Sequence, residues 1–363
     1  MFEEIYRNRK VLVTGHTGFK GSWLALWLRR LGAEVVGYAL PPPTEPNHFR
    51  LIAPDIDSIV GDVRDPAHLV EVFRKHQPEI VFHLAAQAIV RQSYRDPAET
   101  FAVNVMGTVH VLEAVRACGT VRAVVNVTSD KCYENREWPW GYRENDPVGG
   151  RDPYSASKGC SELLTRGWRS SFFNNDDYGK THHTLLASAR AGNVIGGGDW
   201  AADRLTPDIV RATAIKQKAQ IRNPRAVRPW QHVLEPLSGY LLLGQRLLEG
   251  RKDFADAWNF GPGETGHATV ETMVGLMKAA WPDIEPETPS TAGEPHEAVT
   301  LKLDCSKARE QLRWEPVWDA RQAVESTVRW YRAYYASREV KSPEDLDQYQ
   351  EDARSRKAVW TQS

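Results

Sequence analysis

The chain has 363 residues, of which 41% are hydrophobic and 26% charged, and its formal net charge is -1. This length supports a sizeable core and two lobes, while scattered basic residues without net positive charge argue against nucleic acid or an anionic membrane as a partner. Cys118, Cys132, Cys160 and Cys305 show neither metal-ligand pairing nor disulfide density, and no apolar run approaches the roughly 20 residues that cross a bilayer, so a reduced, cytoplasmic, metal-free protein is expected.

The acidic start Met1-Phe2-Glu3-Glu4 is unlike a signal peptide. From residue 10 onward, short β-branched runs at 10–14, 33–39, 57–61, 79–84, 121–128 and 183–189 alternate with helical patterns. That alternation predicts a parallel sheet covered on both faces. Leu24, Trp27, Leu28 and Leu31 repeat at i, i+3, i+4 and i+7 before a stop at Gly32. A second helix starts near Pro66, buries Leu69, Val70, Val72 and Phe73, and ends before Pro78. A third follows Pro97, with Phe101, Val105, Leu112 and Val115 on its apolar stripe, and a fourth carries Tyr154.

After about residue 190, Gly196-Gly197-Gly198 and several prolines break the pattern. A helix near 236–249 and the run 257–260 restore it. The expected fold is therefore α/β: a Rossmann-type doubly wound parallel sheet (1–190 plus about 229–262) with a smaller, mixed α/β C-terminal substrate lobe (about 191–228 plus 263–337). The charged tail 338–363 has little apolar periodicity and is expected to be loosely attached or partly disordered.

Gly15, Gly18 and Gly21 place a tight turn between strand and helix, so that backbone N–H groups and the positive helix end face a dinucleotide pyrophosphate. Where an acid would grip the adenosine ribose, the chain reads Val35-Val36-Gly37-Tyr38-Ala39-Leu40. No Arg or Lys follows until Arg50, which favours NAD over NADP. Asp62 can meet the adenine amino group or cap a helix. His16 is unusual in such a turn; if its imidazole crowds the cofactor, His16→Gly should bind NAD more tightly.

Tyr154 and Lys158 are four apart, so their side chains meet on one helix face. A nearby ammonium would favour the phenolate, letting Tyr154 take a hydroxyl proton while hydride leaves the same carbon. Ser129-Asp130-Lys131 follows an apolar strand, at the edge where open α/β sheets bind ligands. Arg190-Ala191-Gly192-Asn193 closes the next strand in the same way. Arg222, Arg225, Arg228, Trp230 and His232 cluster in the second lobe, and guanidiniums there suit a diphosphate. Trp23 and Trp27 read as core, with Trp200, Trp230 and Trp258 weaker core candidates. His83 reads as structural.

With these residues assembled, the chain resembles the extended short-chain dehydrogenases/reductases. Thr14-Gly15-x-x-Gly18-x-x-Gly21, Asp62, Leu84-Ala85-Ala86, Ser129 and Tyr154-x-x-x-Lys158 match that family in order. Within it the similarity is to the nucleotide-sugar 4,6-dehydratases, through the stretches 15–23, 128–135, 189–200 and 228–236. The resemblance implies one buried NAD, not consumed, contacted by Gly15, His16, Thr17, Gly18, Phe19, Lys20, Gly21, Asp62, Val63, Leu84, Ala85, Ala86, Tyr154 and Lys158. It implies CDP-glucose as substrate, held by Asn193, Arg204 and Arg228, with Glu294, His296 and Glu297 near the nucleotide.

In that scheme Tyr154 is the base at the C4 hydroxyl, and Ser129 and Lys158 hold the oxygen and the ribose. Asp130 protonates the leaving C6 hydroxyl. Relatives place a glutamate where this chain has Lys131, which makes Lys131 the candidate C5 base. Family members pair through two helices per subunit, here about 97–117 and 154–171, so a homodimer, or a tetramer built on it, is expected. A nucleotide-sugar 4-epimerase shares the turn and the Tyr-Lys pair but needs no acid for water loss. A non-catalytic dinucleotide sensor would not need Ser129, Asp130, Tyr154 and Lys158 together.

Overall fold

Six apolar runs become the strands β1 (Lys10–Thr14), β2 (Glu34–Ala39), β3 (Asp57–Val60), β4 (Ile80–His83), β5 (Ala123–Val127) and β6 (Leu185–Ala191). The run Ala257–Phe260 adds a seventh beside β6. The computed structural model describes residues 1–263, 266–289 and 298–362. Every pair in this sheet is parallel, in the order Ala257–Phe260, β6, β5, β4, β1, β2, β3. The order reverses between β1 and β4, and a crevice opens there beyond the carboxyl ends of the strands. β4, β5 and β6 are buried at every position, which explains their unbroken apolar runs.

Helices start and stop where local chemistry dictates. Asp65 and Asp152 cap the helices Pro66–His76 and Pro153–Ser171, each with proline at the first turn. Helix Phe19–Arg30 buries Trp23, Leu24, Trp27 and Leu28 against the sheet. The helical stretch from Pro97 to Ala117 passes through a π segment, Ala102–Met106. Contrary to the expected stripe, Phe101 on it is exposed and Val105 is only half-buried.

The second lobe has its own core, in which Ile209, Trp230, Met273, Trp281, Val328 and Trp330 meet. Short strand pairs, including Val227–Pro229 against His267–Thr269, make it mixed α/β. Trp200 and Trp230 belong to this core, and Trp258 to the main one.

The tail departs from expectation. Helix Ser342–Ser355 and the turn Val359–Thr361 bury Leu346, Tyr349, Ala353 and Trp360 in the main core. Trp360 stacks on Phe2 at 5.2 Å between centroids and meets Trp27 edge-on at 5.5 Å, so the two ends of the chain close on each other. Trp314, Val317 and Trp318 pack there too, so the stretch 263–337 also contributes to the first lobe.

Candidate active site

A cleft of about 830 Å³ runs over the carboxyl ends of β1, β4, β5 and β6 and under the second lobe, within the size range of small-molecule sites. The glycine turn forms its floor. Gly15 has φ +76°, and a Cβ there would lie 2.7 Å from the Ala85 nitrogen, while one on Gly21 would lie 2.1 Å from the Gly15 carbonyl oxygen. Only side-chain-free residues allow this close passage, and the free N–H groups of helix Phe19–Arg30 open into the cleft, as a pyrophosphate requires. These features fit a dinucleotide.

Gly15, Thr17, Gly18, Phe19, Lys20, Gly21, Asp62, Val63, Leu84, Ala85 and Ala86 all line the cleft. Asp62 is not a helix cap, since Asp65 fills that role. Its carboxylate is gripped by Arg64 at 2.6 to 3.0 Å, which holds it below the usual carboxylate range. At the β2 end the wall is Ala39, Leu40, Pro41, Pro43, Thr44 and Asn47, with no cation to meet a 2′-phosphate.

His16 is the exception among the expected cofactor contacts. Its ring points away from the cleft and is fully buried: Nε2 shares a hydrogen bond with Ser58 at 2.7 Å, and Phe49 meets it edge-on. A Cβ on Gly37 would come within 2.3 Å of the ring, so imidazole and glycine fit each other. Burial lowers its pKa to about 4. The expected crowding of the cofactor by this imidazole is thus corrected.

The catalytic candidates converge at the end of β5. Ser129 caps the short turn Asp130–Cys132, accepting the Lys131 N–H at 3.2 Å and donating to Asp130 Oδ1 at 2.9 Å. Its hydroxyl also lies by the Tyr154 phenol, where it favours the ionised form. Asp130 Oδ2 is buried without a partner. Lys131 is half-buried and lines the cleft beside it.

Tyr154 and Lys158 lie one turn apart on helix Pro153–Ser171 and are both buried. Burial dominates the phenol and pushes it up to about 12, against the expected lowering. Lys158 Nζ donates to the Val127 carbonyl at 3.5 Å, and burial lowers its pKa to about 8 against the opposing pull of Glu162. Lys20 reaches the same place. Its Nζ donates to Tyr240 at 3.3 Å, and burial, with Arg204 and Lys158 adding to it, lowers it to about 7 while Asp130 opposes.

Beneath this group lies a pair that chain order alone does not reveal. Glu162, one turn beyond Lys158, takes the Thr128 hydroxyl, Ser188 at 2.8 Å and the Arg190 guanidinium at 2.7 Å. Burial opposes its charge, but these donors together hold its pKa low. Arg190 also donates to Tyr133 at 2.8 Å. Arg190 is therefore a buried support and not a ligand contact, contrary to its sequence reading. The i+4 spacing from Lys158 was the available signal for Glu162.

On the substrate side, Asn193, Arg204, Arg222, Arg228 and Trp230 line the cleft, whereas Arg225 does not. His232 is buried between Trp23 and Trp318. Arg204 pairs with Asp199 at 3.2 Å and Arg222 with Asp203 at 3.0 Å. The Arg228 Nη groups donate to the main-chain carbonyls of Val227, Ala298 and Val299, so part of its hydrogen-bonding capacity holds the loop and not a diphosphate. Gln87, Arg91 and Arg151 also line the cleft and carry no sequence motif. Glu294, His296 and Glu297 lie outside the described residues. His83 is structural as expected, sharing a 2.7 Å hydrogen bond with Thr14 and held neutral by burial. Among the described residues no group of His, Cys, Asp and Glu could hold a metal, and no helix is long and apolar enough to cross a membrane.

Solved structures with this fold include the UDP-glucose 4-epimerase of Thermus thermophilus in complex with NAD (TM-score 0.76, 24% identity, covering 89% of this chain and 99% of that one). Another is the dTDP-glucose 4,6-dehydratase of Streptomyces venezuelae with NAD bound (TM-score 0.74, 24% identity, 90% and 98%). In sequence the chain is 53% identical over 334 residues to the CDP-glucose 4,6-dehydratase of Salmonella typhimurium, covering 92% of this chain and 93% of the relative. It is 27% identical to a dTDP-glucose 4,6-dehydratase of Xanthomonas campestris, over 88% of this chain and 92% of that relative. Residues 12–327 match the family described as GDP-mannose 4,6 dehydratase, and the chain, with its glycine turn, Ser129 and Tyr154-x-x-x-Lys158 in one cleft, belongs to that family of extended short-chain dehydrogenases/reductases.

Proposed function

We propose that this protein is a nucleotide-sugar 4,6-dehydratase, a hydro-lyase that converts CDP-glucose to CDP-4-keto-6-deoxyglucose and water with NAD as a recycled cofactor. The observation that carries the reading is Asp130: a buried carboxyl beside Ser129 at the catalytic end of the cleft, with one oxygen unpartnered. An epimerase needs no such acid. The similarity to the Salmonella CDP-glucose 4,6-dehydratase supports CDP-glucose as the donor.

NAD, when bound, supplies the oxidising and reducing equivalents of the cycle. The protein moves protons and holds geometry. Tyr154, with Ser129 and Lys158 around it, takes the C4 hydroxyl proton; the resulting ketone acidifies C5. Lys131 lines the same end of the cleft and is the candidate base at C5, and Asp130 gives its proton to the departing C6 hydroxyl. Asn193, Arg204 and Arg228 are assigned to the sugar-diphosphate side.

Two finer assignments accompany this reading. Phe101, Met106, Leu163 and Phe172 stand 36%, 47%, 47% and 42% exposed on or beside the helices at 97–117 and 154–171. Such an exposed apolar surface supports a homodimer through a four-helix interface, checked by the mass in analytical ultracentrifugation. The four cysteines are all free, which supports a reducing, cytoplasmic setting.

The test is to incubate the protein with CDP-glucose, dTDP-glucose and GDP-hexoses and assay for the alkali-sensitive keto-sugar chromophore. CDP-glucose is expected to give it. A chromophore from another donor alone would overturn the substrate, and a 4-epimer formed without water loss would overturn the reaction. Lys131→Ala is expected to abolish exchange of the C5 hydrogen with solvent; normal exchange would assign that base elsewhere.

A further inference from the structure

Arg204, Arg222 and Arg228 of the second lobe line the cleft, and they are held in different ways. The Arg228 Nη groups grip the main-chain carbonyls of Val227, Ala298 and Val299. Arg204 meets Asp199 at 3.2 Å, and that acid is fixed: its other oxygen accepts the Ala201 N–H at 3.0 Å, and Tyr331 bonds to its main chain. Arg222 is held by a single residue. Among the described residues its hydrogen bonds go to Asp203 alone, from Nη1 to Oδ1 at 3.0 Å and from Nη2 to the main-chain oxygen at 3.3 Å.

Asp203 stands between the lobes. The same Oδ1 lies 3.8 Å from Nε of Arg91, on helix Val90–Arg95 of the first lobe. Its backbone is left-handed, with φ +63°, a conformation that aspartate and asparagine tolerate better than most residues. The side chains of Arg222 and Asp203 are 26% and 23% exposed, so the pair is partly hydrated and weak enough to exchange. Asp208, another acid on this wall, is already committed to Arg211. The guanidinium fork of Arg222 meets only one oxygen of the Asp203 carboxylate. The oxygens of a phosphate can meet two N–H groups at once.

We propose that Asp203 is a built-in substitute for the diphosphate of the substrate: it holds Arg222 in place in the free enzyme, and the diphosphate displaces it from that guanidinium on binding. This rests on the nucleotide-sugar reading above. A sugar ring at Tyr154 and a nucleotide extending under the second lobe put the diphosphate between them, on the arginine wall. The carboxylate then has two effects. It orders in advance a long side chain that binding would otherwise have to immobilise, and it competes with every nucleoside diphosphate, substrate and product alike. Asp203 is thus a positioning residue that acts through Arg222 and sets affinity.

The test is calorimetric titration with CDP, which carries the diphosphate and does not react. Asp203→Asn keeps the side-chain size and tolerates the left-handed backbone, but removes the competing charge. It is expected to tighten CDP on the order of fivefold, the worth of a partly exposed ion pair, and to leave cytidine, which has no phosphate, unchanged. Unchanged or weaker binding of CDP would make Asp203 a structural tie between the lobes and overturn the proposal, as would an equal gain with cytidine. If the asparagine variant does not fold, Asp203→Gly, which adopts this backbone without strain, is read in the same way. Arg222→Gln should weaken CDP, and Asp203→Asn added to it should recover little. An equal gain in that background would mean a general charge effect and refute exchange at Arg222. If wild type binds dTDP or GDP but not CDP, the substrate assignment fails while the same comparison with that nucleotide still tests Asp203. If it binds no nucleoside diphosphate, the nucleotide-sugar reading fails and this inference with it.

Discussion

The Tyr349 hydroxyl donates to Glu235 Oε2 at 2.8 Å, joining the C-terminal helix to the first turn of helix Leu234–Leu248. Glu235 also accepts the main-chain N–H groups of Val317 at 2.8 Å and Trp318 at 2.6 Å. One buried carboxyl thus fastens three segments that are distant in sequence. Burial raises its pKa to about 7, these donors opposing.

Removal of the tail should therefore be severe. Trp360→Ala is expected to cost about 3–5 kcal/mol, as for other buried aromatics, and a chain ending before Ser342 should not fold, because it leaves Glu235 short of a donor and opens the core at Trp27. Differential scanning calorimetry checks both. A truncated protein melting at the wild-type temperature would contradict the packing.

Stability should fall on acidification below pH 6.5. His16 is held at about 4, and His48, His83 and His232 at about 3, each by burial. Since each folded-state pKa lies below the unfolded value, the unfolded chain binds more protons below pH 6.5 and gains up to about 1.4 kcal/mol per pH unit per group. Glu235, at about 7, and Asp345, raised by burial to about 6, work in the opposite sense. Four imidazoles outweigh two carboxyls, so the urea midpoint should be lower at pH 5 than at pH 7; an equal or higher midpoint would contradict this balance.

Activity should decline at alkaline pH through Lys158. Its folded pKa of about 8 means that the ammonium loses its proton as pH rises through that value. The kcat/KM profile, which reports groups of the free enzyme, should show its alkaline limb near pH 8. Lys158→Arg, which stays charged, should lower the plateau and move the limb upward; an unmoved limb would assign it to another group.

His16→Gly should act on stability. It removes a buried ring and the partner of Ser58 beneath Gly37, a loss of about 2–4 kcal/mol by analogy with other large-to-small changes. Thermal melts of the NAD-free protein read this directly, and an unchanged melting temperature would restore the cleft-facing reading of the imidazole.

Much of the fold was legible because strand burial on both faces and helix amphipathicity each leave a period in the chain. All six strand runs and the Tyr154 helix fall where those periods place them. The tail was not legible in that way: Leu346, Tyr349 and Ala353 recur at i, i+3 and i+7, but charged neighbours dilute a stripe that only its partner surface explains. Arg190 and His16 misled for a related reason, since a strand-end arginine or a turn histidine has the same spacing whether it faces a ligand or the interior.

Sequence alone determined the chemistry available: a glycine turn at a strand end, a Tyr-Lys pair one helical turn apart, and a Ser-Asp-Lys run after an apolar strand. These are local constraints, set by backbone geometry over a few residues, so spacing suffices to state them. Tertiary structure decided what each group faces. It turned His16 under Gly37, set Glu162 against Arg190 and brought Lys20, Ser129, Asp130, Tyr154 and Lys158 together in one cleft. Burial and partner identity depend on contacts between segments far apart in the chain, and no local pattern encodes them.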